Sequence, residues 1–270
     1  MRDDIYRDPL PLKGRRYIIT GVSRRIGIGA AIARQIAAWG GSVILHHYGT
    51  HDEEQPWGGD DIDAVKKDIR GYLTENATLH DSFGDLQDPS EPDRFFDTIL
   101  SLGVHVDGII LNHALSGSDG AIGDLTAEML DRHYAINTRA TMLLIQHYVR
   151  HFGQSGNGRV VMMTSGQGMG PMPGEVAYSL SKGALAGITL TLSDQLSRQG
   201  ITVNTVNPGP VDTGYLSEED WQTVRRKFPF GRFGEPKDPA RLIAWLVTDE
   251  AHWITGQVIH SEGGFARWRD

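Results

Sequence analysis

Residues 17–29 read Tyr17-Ile18-Ile19-Thr20-Gly21-Val22-Ser23-Arg24-Arg25-Ile26-Gly27-Ile28-Gly29. A short apolar run ends in a glycine-bearing turn, and a helical pattern from Ala30 to Trp39 follows at once. Gly21 permits the tight turn. Gly27 and Gly29 let the backbone come close to a pyrophosphate at the helix N-terminus, where free N–H groups and the helix dipole favour an anion. The spacing is not G-x-G-x-x-G, so the strand–turn–helix context carries the reading rather than the glycines alone.

The same alternation continues along the chain. Ser42–His46, Val106–Leu111, Arg159–Thr164, Ile201–Val206 and Gln257–His260 read as further strands. Met129–Phe152, Ala177–Arg198 and Pro239–Val247 read as helices. Apolar runs this continuous suit strands buried on both faces. The expectation is one doubly wound α/β domain of Rossmann type over residues 1–270, a parallel sheet with helices on both faces. Tyr48–Asp61, with Trp57 and Gly58-Gly59, reads as a long loop after the second strand. It is taken as a solvated surface insertion, with a cover over the adenosine end of a cofactor as the other reading.

Net charge is −8 and the pI is about 5.7. An acidic chain argues against nucleic acid or an anionic membrane as the main partner. Cysteine is absent, which removes disulfides, a thiolate nucleophile and Cys-ligated zinc. Met1–Leu12 is charged and holds two prolines, unlike a signal peptide. No apolar run approaches the ~20 residues of a membrane span. A cytoplasmic location is expected. His147 and His151, four apart, are a possible zinc pair without a third ligand; no metal is expected, and the two are read as solvated helix-end residues.

Tyr178 and Lys182 stand four apart on one helix, and Ser165 lies upstream in Met162-Met163-Thr164-Ser165. Residues so spaced share a helix face. A nearby ammonium favours phenolate and lowers a tyrosine from its ordinary pKa of ~10, and a tyrosine so tuned can move a proton near neutral pH. A serine beside it can bond the same substrate oxygen. The three suit the interconversion of a carbonyl and an alcohol. At the end of the second strand, Val43-Ile44-Leu45-His46-His47-Tyr48 carries no acid for a ribose hydroxyl. Arg24 and Arg25 in the glycine loop suit a 2′-phosphate instead, so NADP(H) is preferred and NAD(H) remains possible.

With these pieces in place, the chain resembles the short-chain dehydrogenase/reductase family, 3-oxoacyl carrier-protein reductases among them, over nearly its whole length. The glycine loop is similar but two residues longer. Asp85-Leu86 resembles the family's adenine contact, and Asn112-His113-Ala114 stands where the family has Asn-Asn-Ala-Gly. His113 is expected to pack in the core. Asn137 resembles the structural and proton-relay asparagine. Asn207-Pro208-Gly209 to Thr213 resembles the segment that holds the nicotinamide carboxamide.

What the resemblance implies is hydride transfer to a carbonyl carbon. Tyr178 would donate the proton, Ser165 would stabilise the oxyanion, Lys182 would tune Tyr178 and hold the ribose, and Asn137 would hold a relay water. Cofactor contacts would come from Gly21, Ser23, Arg24, Arg25, Gly27, Ile28, Asp85, Leu86, Asn112, Ala114, Tyr178, Lys182, Pro208, Gly209, Val211 and Thr213. The segment 213–230, with Tyr215, Leu216, Trp221, Phe228 and Phe230, resembles a mobile substrate lid. Trp221 and Phe228 equally suit internal packing.

The substrate would be an acyl-thioester or small-molecule carbonyl. The family's two carrier-docking arginines fall on Gly156 and Gln199 here, which favours a small ketone as the alternative. A non-catalytic NADP-binding sensor on the same fold is the reading from another class. A homo-oligomer, a tetramer in particular, is expected from the apolar residues Met142, Leu143, Ile145, Leu185, Ile188 and Leu192 on the two long helices.

Overall fold

The computed structural model describes residues 7–268; the first half of the charged N-terminal stretch, residues 1–6, lies outside it. The strands are β1 (Arg16–Thr20), β2 (Ser42–His47), β3 (Leu79–Phe83), β4 (Gly108–Leu111), β5 (Gly158–Met163), β6 (Ile201–Asn207) and β7 (Val258–His260). They form one parallel sheet in the order β3-β2-β1-β4-β5-β6-β7. The helices are α1 (Ile28–Ala38), α2 (Gly49–Glu53), α3 (Ile62–Arg70), α4 (Glu91–Ser101), α5 (Ala127–His133), α6 (Ala140–Phe152), α7 (Val176–Ser197), α8 (Glu218–Arg225) and α9 (Lys237–Leu246). This is the expected doubly wound α/β architecture.

Strand side chains alternate between two cores. Ile19, Val43, Leu45, Ile110 and Val161 pack with α1, α3 and α9 on one face. Ile18, Ile44, Ile109, Val160 and Met162 pack with α4, α6 and α7 on the other. Because both faces are covered, every residue of β2, β4, β5 and β6 is buried, hence the unbroken apolar runs.

Four expectations need correction. The strand β3 was not anticipated: Leu-His-Asp-Ser-Phe is an edge strand, only half-buried, and carries no apolar run. The long helix expected over 129–152 is interrupted by a π-helical turn, Tyr134–Arg139, that separates α5 from α6. The residues named for an intermolecular face are largely used at home. Ile145 and Leu185 are fully buried, and Met142, Ile188 and Leu192 pack against the second core. The exposed leucines of α7 are Leu180 and Leu190. His147 is not a solvated helix-end histidine either. It is buried, stacked on Phe96 at 5.1 Å, and bonded to Asp93 at 3.0 Å. Among the described residues no group of three or more His, Cys, Asp or Glu is placed to hold a metal ion, and no helix is long and apolar enough to cross a membrane.

Candidate active site

From β1 the chain winds outward to β3, then returns to β4 and winds the other way to β7. The loops after β1 and β4 therefore part, and a crevice opens at their C-terminal ends, where open α/β sheets bind ligands. Gly21 stands in that crevice at φ 72°, a conformation that favours glycine. A Cβ on it would come 2.7 Å from His113 Cα. The Asn112 amide donates to Thr20 O and Gly21 O, both at 3.1 Å, and so ties the β4 loop to the glycine loop. This closure also requires a glycine at 29, since a Cβ there would collide with Gly21 O. The N-terminus of α1 has no side-chain cap and no acid in its first turn. Its free N–H groups suit a phosphate.

His113 does more than pack. It is buried, with Nδ1 2.7 Å from Thr20 Oγ1 and Nε2 3.0 Å from Ile136 O, bridging β1 to the π turn. Burial pushes its pKa down to about 3, so it is neutral. Ser23 Oγ accepts from Tyr48 N at 3.2 Å and joins the glycine loop to the end of β2.

The two loop arginines are not free solvent charges. Arg25 forms a fork on Asp60, with contacts of 2.7–3.1 Å, and its backbone N–H donates to the same carboxylate at 2.9 Å. Arg24 donates to Thr213 O at 3.0 Å and lies 5.9 Å from the Trp57 ring, with Asp52 at 3.9 Å. The two acids that engage these arginines, Asp60 and Asp52, lie in the insertion after β2. That insertion is no detached surface loop: it contains α2, and Trp57 meets Tyr215 edge-on at 6.5 Å.

Four polar side chains gather opposite the glycine loop. Ser165 lies two residues beyond β5, and Tyr178 and Lys182 lie one turn apart on α7. The Ser165 hydroxyl lies close enough to that of Tyr178 to draw its pKa down. Lys182 is almost wholly buried, donates to Met163 O at 3.0 Å and lies 5.9 Å from the Tyr178 ring centre. Asn137, in the π turn, is fixed at both ends: Oδ1 accepts from Leu115 N at 2.7 Å, and Nδ2 donates to Leu115 O at 3.1 Å and Ser181 Oγ at 2.9 Å.

The electrostatics differ from the expectation. Burial pushes Tyr178 up to about 12, opposed by the neighbouring Ser165 hydroxyl, and burial pushes Lys182 down to about 7. The ammonium spends its reach on Met163 O, so desolvation outweighs any Coulombic pull on the phenol. A tyrosine with a raised pKa keeps its proton at neutral pH and is a donor.

The remaining expected residues are less uniform. Asp85 accepts from Gln87 N at 2.8 Å, in a turn beside the end of β3. Leu86 and Val211 are buried in the protein, so only their backbone can meet a ligand. Pro208 and Gly209 follow β6, with Gly209 N bonded to Asn207 Oδ1 at 3.0 Å. Ala114 and Ile28 are half-buried at the crevice, one on each loop. In 213–230, Trp221 donates to Asp212 and stacks on Phe233 at 5.8 Å, and Phe228 is buried. Tyr215 and Phe230 are exposed.

The sequence did not flag Asp119. Its carboxylate accepts from Ala177 N at 3.0 Å and Tyr178 N at 2.7 Å. Gly117-Ser118-Asp119-Gly120 has the composition of a turn, and nothing in it signals a partner 59 residues on.

The family model described as Enoyl-(Acyl carrier protein) reductase matches residues 21–266. The uncharacterized oxidoreductase YjdA of Bacillus subtilis is 41% identical over 254 residues, 93% of this chain and 96% of that one. The 3-oxoacyl-[acyl-carrier-protein] reductase FabG of Rickettsia conorii is 33% identical, over 94% of this chain and 98% of its own. Among solved structures, the angucycline C-6 ketoreductase LanV with bound NADP superposes with a TM-score of 0.82 at 30% identity, covering 94% of this chain and 96% of that one. The chain belongs to the short-chain dehydrogenase/reductase family and is an oxidoreductase of the kind that binds NAD(P).

Proposed function

We propose that this chain is an NADPH-dependent carbonyl reductase working through Ser165, Tyr178 and Lys182. The observation that carries the reading is that Tyr178 stands beside the Ser165 hydroxyl and one helical turn from the buried Lys182, which donates to Met163 O at 3.0 Å. Tyr178, protonated at neutral pH, gives its proton to the substrate oxygen. Ser165 donates to the same oxygen as charge develops on it. Asn137 and Lys182 line the path by which Tyr178 regains a proton. A bound nicotinamide supplies the hydride. The uncapped N-terminus of α1 and the loop 20–29 would hold the pyrophosphate, and residues 208–213 would meet the nicotinamide. The segment 213–230 serves as the lid, with Tyr215 and Phe230 facing outward to meet substrate.

NADPH over NADH rests on the absence of an acid at the end of β2 and on the guanidinium groups of the loop. Arg25 would exchange Asp60 for the 2′-phosphate, one solvent-screened anionic partner for another. The substrate reading is a 3-oxoacyl-type carbonyl. A free small-molecule ketone is the second reading, favoured by Gly156 and Gln199 at the positions where a docking surface for an acidic carrier would be basic.

The test is NADPH oxidation across a ketone panel by the parent and Tyr178→Phe, with NADPH and NADH dissociation constants for both. Tyr178→Phe should lose on the order of 10²–10⁴-fold in turnover and keep NADPH affinity. Equal turnover by the two proteins sinks the assignment of Tyr178. Equal affinity for the two cofactors in the parent sinks the preference. NADPH binding with no ketone reduced would favour the sensor.

A further inference from the structure

The helix that carries Tyr178 begins without a cap of its own. Glu175, at the cap position of α7, makes no side-chain bond to the first turn, and that turn holds no acid. Uncapped N–H groups in a partly buried place need partners. The loop after β4 provides them. Asp119 Oδ1 accepts from Ala177 N at 3.0 Å, Asp119 Oδ2 accepts from Tyr178 N at 2.7 Å, and Val176 N donates to Gly120 O at 3.3 Å. Gly120 N closes back on Asp119 Oδ1 at 2.7 Å.

The loop is bent to make this joint. Gly117 has φ 79° and Ser118 φ 49°, and a serine adopts that conformation only when its surroundings hold it there. Desolvation pushes the Asp119 carboxyl up, but the backbone N–H groups of Tyr178, Ala177 and Gly120 outweigh it and hold the carboxyl below its ordinary range, so it is ionised. The same loop begins at Asn112 and passes Leu115, whose backbone grips Asn137. One stretch of chain therefore fixes the floor of the crevice, Asn137 and the backbone of Tyr178.

We propose that Asp119 is a positioning residue that sets where the Tyr178 hydroxyl stands relative to Ser165 and the bound carbonyl. The inference rests on the role proposed for Tyr178. Removing the carboxylate frees the first turn of α7. A displacement of about 1 Å at a reacting group costs roughly 100-fold in rate, while the cofactor contacts elsewhere in the crevice stay in place.

The experiment compares Asp119→Ala and Asp119→Asn in the full chain, each in the parent and in the Tyr178→Phe background. Asp119→Ala should lower kcat by roughly 10- to 100-fold, with KM and the NADPH dissociation constant within about twofold of the parent. Asp119→Asn, which keeps one acceptor oxygen, should recover part of that loss. In the Tyr178→Phe background neither change should reduce the residual rate further, because the group being positioned is gone. Should Asp119→Ala fail to fold, Asp119→Asn and Asp119→Ser decide the matter. Parent-like kcat in the folded Asp119 variants, with Tyr178→Phe inactive, overturns the proposal for Asp119 alone. Losses that add fully in the Tyr178→Phe background, or that fall equally on NADPH binding, overturn it in favour of a purely structural cap. Parent-like turnover by Tyr178→Phe instead removes the reading on which it rests.

Discussion

Lys182 sits where an ammonium is costly. It is almost wholly buried, one carbonyl receives its hydrogen bond, and desolvation holds its pKa at about 7 instead of 10.5. The linkage has a definite sign. Between about 7 and 10.5 the unfolded chain holds a proton that the folded chain has released, so stability gains with rising pH across that window. Below it both states are charged and the burial penalty is fully present. Lys182→Met should therefore stabilise the protein at pH 6–7, by on the order of a few kcal/mol at most, and abolish turnover. The gain should shrink towards pH 10. Thermal melts of both proteins over that range check it. A variant less stable than the parent at pH 6 would show that the hydrogen bond to Met163 O outweighs desolvation.

The elements show why some of the molecule was legible beforehand. Strands β1, β2, β4, β5 and β6 are buried on both faces, so burial wrote itself into apolar runs. The edge strand β3 has half-buried polar residues, and its place is decided by pairing with β2 rather than by its own pattern. Ser165, Tyr178, Lys182 and Asn137 were readable because their spacing and type survive in the chain as text. Their electrostatics were not, because a pKa depends on burial and on which acceptor a side chain finds. The loop arginines went the same way. Arg24 and Arg25 were identified, but Asp60 and Thr213, which engage them, are brought in only by folding. Asp119 belongs with these: an acid in a glycine-rich turn acquires meaning once α7 arrives beneath it.

For the whole molecule, the open question of assembly moves from buried residues to Leu180 and Leu190, whose side chains on α7 are exposed. A homo-oligomer using this face should give a multiple of 29.7 kDa by light scattering at micromolar concentration. Leu180→Glu with Leu190→Glu should reduce that mass without unfolding the protein, since neither leucine lies in its own core. A monomeric mass for the parent would count against assembly altogether.

Trp57 has one more effect on the molecule as a whole. Its indole N–H is tethered to Asp52 at 3.0 Å, its ring lies against Arg24 and Tyr215, and Arg24 itself holds Thr213 O. The glycine loop and the segment after β6 are thus two jaws on one latch, and neither swings without disturbing the other. A dinucleotide lying between them would depart in a single gated event, and its dwell time would be set by the latch rather than by its own contacts. Stopped-flow release of NADPH from Trp57→Ala should then be several-fold faster than from the parent. Identical release rates would mean that the jaws move independently.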